Sequence, residues 1–486
     1  MTSTTEKASL KPLVVDMDGT LLATDTLVES FVRNFFKRPF KTLSACFALA
    51  QGRAAFKRAL VELGDIDVAS LPANPDVISF LEQQRSSGRS LHLATAADDR
   101  IAQQVGERFG LFNEVTGSRN GENLKGEKKA DFLQGVYPDG YVYAGDSRAD
   151  LAVWSKAKGA VFVGVNSGVR RSAQRLGVEV EADFKSPVGQ SKTQSWRKAL
   201  RIHQWSKNVL VFAPLFLAHA YTDVDAIFNT IAGFFIMSLV ASGTYILNDL
   251  SDLSADRRHK TKHARPFASG ALPVSSGLVV GPLLIFAGLA ASTAINLNFS
   301  ATLLAYLIIT LSYSFRLKRE PLVDVLVLGI LYSLRLLIGV VLIGVALSSW
   351  LIAFSLFFFY SMSLAKRHVE LRAVSDKVDA DAALPGRGYR PADWPVTLAL
   401  GAASTVGSII VIVLYLTEEA FPSGVYTSPQ WLWAAPLLIM AWTQRIWLLA
   451  HRGQLDDDPV SFALKDPLSI GLGTALAVFF AAASIL

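Results

Sequence analysis

Two acidic constellations in this chain have residue types and spacings suited to phosphorus chemistry. The first is Asp16-Met17-Asp18-Gly19-Thr20. Two carboxylates separated by one residue can act as a pair, one attacking phosphorus while the other handles protons. Gly19 permits the tight turn that aims both at one point. Further along, Thr95 can donate to a phosphate oxygen and Lys125 can neutralise charge there. Asp146 and Asp150, in Gly145-Asp146-Ser147-Arg148-Ala149-Asp150, offer hard oxygen ligands for Mg²⁺. The second constellation is Asn248-Asp249-Leu250-Ser251-Asp252-Leu253-Ser254-Ala255-Asp256. At about 100° per residue, Asp249, Asp252 and Asp256 fall within a ~60° arc of one helix face. Three like charges there repel one another, and near a membrane they cost still more. A divalent cation carrying a diphosphate offsets both costs. Arg257, Arg258, Lys260, Lys262, His263 and Arg265 follow at once, as counter-charges for a phosphate-rich ligand.

The elements that must position these residues divide into two halves. Residues 1–195 alternate short apolar runs, at Pro12–Asp16, Ser90–Thr95, Gly140–Ala144 and Ala160–Val165, with helical stretches such as Asp98–Phe109 and Lys128–Gln134. That alternation predicts an α/β doubly wound, Rossmann-like parallel sheet whose site lies at the carboxyl ends of the strands. Thr24 to about Leu71 interrupts it and reads as a helical cap. The cap carries Arg33, Lys37, Arg38, Lys41, Arg53, Lys57 and Arg58 among Phe and Leu residues, a pattern compatible with a solvated face or with contact to an anionic membrane. The polar stretch Glu179–Ser195 reads as a linker of about 17 residues. Met1–Lys11 lacks the basic-then-apolar pattern of a secretory signal, so this half is expected in the cytoplasm.

From Trp196 onward, apolar runs occur near 208–221, 226–247, 273–293, 296–313, 321–344, 348–365, 396–416, 430–443 and 468–486. Each approaches the ~20 residues that a bilayer core requires, giving an all-α bundle of about nine transmembrane helices over 196–486. His219–Asp225, Thr293–Asn298, Gly344–Ser349 and Thr417–Gln430 contain no Lys or Arg, whereas Asp249–Pro273, Arg316–Glu320, Lys366–Trp394 and Gln444–Asp466 hold nearly all of the basic residues. The positive-inside rule therefore puts the second set, the N-terminal domain and both sites on the cytoplasmic side of the cell's inner membrane. A net charge of +6, with 47 Lys+Arg against 41 Asp+Glu, follows from that topology and needs no nucleic acid. A single Cys excludes a disulfide scaffold and multi-Cys metal sites.

Over about 11–180 the chain resembles the haloacid dehalogenase superfamily: DxDGT, an apolar strand ending in Thr95, a Lys and GDxxxD occur in that order. The resemblance implies Asp16 as the phosphoryl-accepting nucleophile and Asp18 as general acid/base. It also implies Mg²⁺ held by Asp16, the backbone carbonyl of Asp18 and Asp146, with Asp150 nearby. Lys125, Lys128 and Lys129 lie close together, and the Asn-Leu-Lys-Gly setting favours Lys125.

Residues 196–486 resemble the UbiA superfamily of intramembrane prenyltransferases, through the NDxxDxxxD core and the Arg-Pro-Phe-Ala-Ser-Gly ending of Tyr245–Gly270. This implies nine helices around a central cavity and Mg²⁺ on Asn248, Asp249 and Asp252, with Asp256 beside them. The second aspartate-rich motif of that family is replaced by Lys366-Arg367-His368-Val369-Glu370, with Asp376, Asp379 and Asp381 beyond it. Together with Arg201-Ile202-His203-Gln204-Trp205-Ser206-Lys207-Asn208 and Asp458-Pro459-Val460-Ser461-Phe462-Ala463, this resembles the decaprenyl-phosphate phosphoribosyltransferases, which serve arabinan synthesis. The resemblance implies 5-phosphoribosyl-1-diphosphate as donor and a polyprenyl phosphate as acceptor. Lys366, Arg367, Glu370, Arg201, Lys207, Asn208, Arg258, Lys262 and Arg265 would then line the phosphates, and Tyr313 and Lys318 could reach one.

Asp324 and Arg335 stand in an apolar run three turns apart, ~16 Å along the axis, too far to pair, so each should face the bundle interior. The sequence thus reads as a membrane phosphoribosyltransferase fused to a phosphatase that acts on its product. An aromatic prenyltransferase, or an N-terminal domain that only docks or regulates, are the alternatives. Lipid chain length and oligomeric state stay open.

Overall fold

Leu13-Val14-Val15 is fully buried, with Leu13 and Val15 in one apolar cluster and Val14 in another. Side chains alternate across a strand, so this segment must be a central strand covered on both faces. The computed structural model bears this out; it describes residues 10–64, 66–119, 122–185, 191–375, 387–455 and 459–485. The strands are β1 (Leu13–Val15), β2 (Leu91–Asp98), β3 (Glu114–Ser118), β4 (Val142–Gly145), β5 (Gly159–Val163) and β6 (Glu179–Phe184). All pair in parallel, in the order β3-β2-β1-β4-β5-β6, and Leu13 lies level with both Leu91 and Val142.

Two strands escaped the sequence reading. β3 is a polar edge strand without an apolar run. β6 falls within the stretch read as linker, because its side chains are mostly exposed. The expected cap is present as helices Thr26–Lys37, Pro39–Ala45 and Arg53–Leu63, with a 3₁₀ turn at Cys46–Gln51.

The chain divides into two compact units. One comprises residues 1–200 with 245–281, and the other comprises 201–244 with 282–486. Among the described residues, eight helices are long and apolar enough to cross a membrane: Val224–Ser251, Val274–Thr293, Leu297–Phe315, Val323–Ile343, Ser349–Val374, Pro391–Ala420, Pro429–His451 and Pro467–Ile485. The protein is a multi-pass membrane protein. Of the nine runs anticipated, 208–221 does not form a span. Arg201 adopts a left-handed conformation (φ 50°), Ile202–Phe212 is a 3₁₀ segment, and Ala213–Leu217 is a single short helix ending before His219 (φ 55°). Fourteen residues rise only about 21 Å as a helix, short of a ~30 Å hydrocarbon core.

The helix Val224–Ser251 ends inside the second acidic motif. Asp252 (φ −96°, ψ 6°) breaks the helix and caps the next one, Leu253–Arg258. The three aspartates are therefore not on one continuous helix, as the spacing predicted. The i→i−4 hydrogen bonds nevertheless run through Asp252, from its N–H to the Asn248 carbonyl (3.0 Å) and from the Asp256 N–H to the Asp252 carbonyl (2.8 Å).

Candidate active sites

The first site lies at the carboxyl ends of β1, β2 and β4. Asp16 follows β1 directly, and its backbone N–H donates to the Ala144 carbonyl (3.0 Å), tying the Asp16–Thr20 loop to the neighbouring strand. Gly19 has φ +77°, and a Cβ there would stand 2.3 Å from Asp146 Oδ2, so only glycine lets the two loops meet. Carboxylate oxygens of Asp16, Asp146 and Asp150 all lie within 4.8 Å of one another.

The lysine bonded to Asp16 is Lys129, not the favoured Lys125. Its Nζ donates to Asp16 Oδ1 (2.9 Å), the Ala94 carbonyl (3.1 Å) and the Tyr143 hydroxyl (2.9 Å). Helix Glu127–Val136 buries Lys129, Ala130 and Leu133, one helical face, so a lysine among buried apolar neighbours was the legible signal. Lys125 lines the same cavity.

Asp150 is more than a spare ligand. Its Oδ2 accepts from the backbone N–H of Asp146 (3.2 Å) and Ser147 (2.9 Å) and from Ser147 Oγ (2.9 Å), while Oδ1 accepts from Tyr143 (3.0 Å). It holds the loop that presents Asp146.

Charge in this site is unbalanced. Burial, then Asp16 and Asp150, push the Asp146 carboxyl up to about 8. Burial also raises Asp16 against the pull of Lys129. Such crowding of three carboxylates around one lysine suits a divalent cation with oxygen ligands, so the residues present fit Mg²⁺. Asp18 stands apart in role. Burial first, then Asp25, push it up to about 8, while Thr26 donates to it through N–H (3.0 Å) and Oγ1 (3.1 Å). A carboxyl kept protonated near neutrality can serve as a general acid.

A cavity of about 410 Å³ opens over these groups, lined also by Thr95, Lys125 and cap residues including Arg53 and Lys57. Thr95 is fully buried, and its Oγ1 accepts from the Ala97 N–H (3.1 Å). Lys57, which the sequence reading placed only in a basic cap, donates to the Ala96 carbonyl (2.5 Å) and to Asn123 Oδ1 (3.0 Å), at the roof of the site. Burial lowers its pKa.

The second site is built on the aspartate-rich segment, within the same compact unit. Arg265 Nη1 donates to Asp249 Oδ1 (3.2 Å) and Asp256 Oδ2 (2.6 Å), so the two buried carboxylates already share a cation. Asn248 Nδ2 donates to Asp252 Oδ2 (3.3 Å). Two carboxylates thus meet one cationic nitrogen; among the described residues, Asp249, Asp252 and Asp256 do not form a three-carboxylate cluster like that of Asp16, Asp146 and Asp150.

The other predicted counter-charges part company. Arg257 is buried and forms a two-point pair with Glu29 of the cap, at 2.6 and 3.1 Å. Thr24 Oγ1 also donates to Glu29 (2.6 Å). Arg258, expected on phosphate, pairs with Asp67 of the cap. Lys262 is exposed in a 3₁₀ turn.

In the other unit, several expected phosphate ligands are used structurally. Arg367 is fully buried, donating to Asp324 Oδ2 (2.5 Å) and to Glu370. Tyr389 also donates to Asp324 (2.6 Å). Glu370 is therefore a partner of Arg367, whose two Nη atoms pair with Asp324 and Glu370 while its Nε has no partner among the described residues. Lys366, the residue before, is half-buried. Asn208 is buried, its Nδ2 donating to Ser238 (3.0 Å) and its Oδ1 accepting from Arg335 Nε (3.0 Å). Arg335 also bonds Tyr306, so Asp324 and Arg335 face the interior separately, as their spacing required. Tyr313 accepts from Arg387 (3.3 Å), and Lys318 lies in the turn Leu317–Arg319. Arg201 and Lys207 bracket the 3₁₀ segment. Asp376, Asp379, Asp381 and Asp458 lie outside the described residues.

Comparison with known proteins gives each site a context. The profile of the UbiA prenyltransferase family matches residues 209–465, and that of haloacid dehalogenase-like hydrolases matches 13–154. The uncharacterized protein y4nM of Sinorhizobium fredii is 43% identical over 96% of this chain and 90% of its own length. Nodulation protein NoeC of Azorhizobium caulinodans is 30% identical over 58% of this chain and 92% of its own. Decaprenyl-phosphate phosphoribosyltransferase of Corynebacterium glutamicum is 30% identical over 47% of this chain and 69% of its own.

Proposed function

Since the chain belongs to the UbiA prenyltransferase family and carries a haloacid dehalogenase-like hydrolase domain, we propose that it transfers 5-phosphoribose from 5-phosphoribosyl-1-diphosphate to a polyprenyl phosphate and then removes a phosphate from the product. The observation that carries the transfer half is the acidic segment interlocked with Arg265, in a chain whose matching helix bears Lys366 and Arg367 in place of a second acidic motif. The likeness to the Corynebacterium phosphoribosyltransferase supports the choice of donor.

For the transfer step, Asn248, Asp249, Asp252 and Asp256 are the residues that would hold Mg²⁺, and the ion would supply charge withdrawal from the diphosphate leaving group. Arg265, freed from its carboxylates, turns to a phosphate oxygen. The C1–O bond to diphosphate breaks, and a lipid phosphate oxygen forms the new bond to C1. Lys366 and Lys207 supply fixed positive charge for the acceptor phosphate. Arg367 acts at one remove, by holding Asp324 and Glu370.

In the hydrolytic step, Asp16, Asp146 and Asp150 would hold the cation, and Lys129 fixes and neutralises Asp16. Asp16 attacks phosphorus while protonated Asp18 donates to the departing ribose oxygen, and Asp18 then takes a proton from the water that hydrolyses the phosphoaspartate. The ribose 5-phosphate is the ester we assign to this site.

The test is incubation of purified protein with polyprenyl phosphate, 5-phosphoribosyl-1-diphosphate and Mg²⁺, with mass analysis of the lipid. The expected products are phosphoribosylated lipid in an Asp16→Asn variant and dephosphorylated lipid with the unaltered chain. Inertness toward activated ribose together with consumption of a prenyl diphosphate would replace this reading with that of an aromatic prenyltransferase.

A further inference from the structure

The cap carries a surface that neither reaction uses. Between Arg33 and Arg58 the sequence has seven Lys or Arg residues and no Asp or Glu. At the tip of this stretch Phe40 is 87% exposed and Phe47 82%, with Leu43 and Leu49 about half exposed beside them. Phe40 and Leu43 lie on helix Pro39–Ala45, and Phe47 and Leu49 on the following 3₁₀ turn. The tip is not loose. Thr42 is buried and donates to the Arg38 carbonyl (3.0 Å), Arg38 donates to the Leu63 carbonyl (2.7 Å), and Asn34 donates to the Leu60 carbonyl (2.9 Å). Two phenylalanines are thus held outward on a braced support in a predominantly basic stretch, with Glu62 sharing the shallow hollow beside Phe40 and Lys41.

We propose that this basic, phenylalanine-tipped face is a membrane-docking surface that seats Phe40 and Phe47 among the acyl chains of an anionic lipid leaflet. The charge pattern selects that occupant, since Lys37, Arg38, Lys41 and Arg53 match lipid phosphates and the rings match the layer beneath. The compact unit that bears the cap also contains residues 245–251 and 274–281, the ends of two membrane-spanning helices, so a bilayer surface adjoins it by covalent connection. Leu49 and Arg53 line the catalytic cavity as well, so a docked tip places the cavity mouth where a lipid-borne phosphate emerges. The surface stands whether or not the lipid carries phosphoribose.

The experiment uses the full chain in nanodiscs. In a Cys46→Ser background, Phe40→Cys, Phe47→Cys and a control, Gln174→Cys on helix Ser167–Arg175, are nitroxide-labelled. Collisions with oxygen and with a nickel chelate are then compared. In discs with about one-third phosphatidylglycerol, the oxygen-to-nickel ratio at positions 40 and 47 should exceed that at 174 by roughly tenfold, and in pure phosphatidylcholine discs it should fall at least about twofold. Equal nickel access at 40, 47 and 174 in the anionic discs overturns the proposal. So does protection that is already complete in detergent and rises with protein concentration, which would mean that a second copy covers the face. A Phe40→Ser, Phe47→Ser double variant provides an independent check. It should raise KM for a lipid-borne phosphate about tenfold and leave a soluble phosphate ester unchanged; no change for either ester overturns the proposal.

Discussion

The two acidic sites solve the same electrostatic problem in different ways. Around Asp16 three carboxylates gather, Lys129 bonds Asp16, and burial drives the proton affinity of Asp16 and Asp146 up. Along the aspartate-rich segment, Arg265 already bridges Asp249 and Asp256, although burial still raises Asp256. The pocket around Asp16 gathers carboxylates in an arrangement that could hold a divalent ion, whereas along the aspartate-rich segment an internal counter-charge already pairs two of the carboxylates. The lesson extends to Arg367. An arginine on a motif position is not thereby a ligand, because a buried guanidinium that has met Asp324 and Glu370 is committed to holding the fold.

The sharpest way to break this comparison is to remove one acid from each cluster. Asp146→Asn should lower phosphate release by roughly 10³-fold or more with transfer intact, and Asp249→Asn should do the converse. Phosphate assay and lipid mass analysis separate the two, and a joint loss in either variant would show that the sites do not work independently. Next in size, Lys129→Met should cost on the order of 10²-fold in phosphate release, against about tenfold or less for Lys125→Met, because only Lys129 bonds Asp16. Equal losses would remove the distinction.

Stability distinguishes the adjacent cations in the membrane half. Arg367→Leu removes the nearer cation from buried Asp324, leaving it Tyr389 and the more distant Arg387 (3.6 Å), and should destabilise the chain by about 3 kcal/mol, read as a lowered unfolding midpoint in detergent. Lys366→Ala should cost less than about 1 kcal/mol while still impairing transfer.

The smallest effect concerns His92, buried on β2 between Tyr137 and Thr116. Burial holds its pKa below the ordinary value, against the pull of Glu114. The unfolded chain therefore binds the extra proton first. The contribution is fully present above about pH 6.5 and fades as pH falls below it, at no more than about 1.4 kcal/mol per pH unit. A His92→Asn variant should lose that acid-side slope in pulse proteolysis; an unchanged slope would place its origin elsewhere.

Much of this was legible before any coordinates. The apolar runs at β1, β2, β4 and β5, the DxDGT and GDxxxD loops that follow two of them, and eight of nine hydrophobic runs announce themselves through local patterning. The polar edge strands β3 and β6 do not, because their partners rather than their own side chains define them. Lys129 was hidden among three neighbouring lysines until helix phase turned it inward. Glu29 and Arg257, 228 positions apart, carry no mutual signal at all.

What the amino-acid order determined by itself was chemistry of the kind set by short-range spacing and by solvent preference: carboxylates one or three residues apart, glycine where a turn demands it, and lengths of chain that favour lipid over water. Only the tertiary structure decided which charges are spent on one another. Pairing energies depend on separation and burial, and the folded chain sets both by bringing Lys129 to Asp16, Arg265 to Asp249 and Asp256, and Arg367 to Asp324.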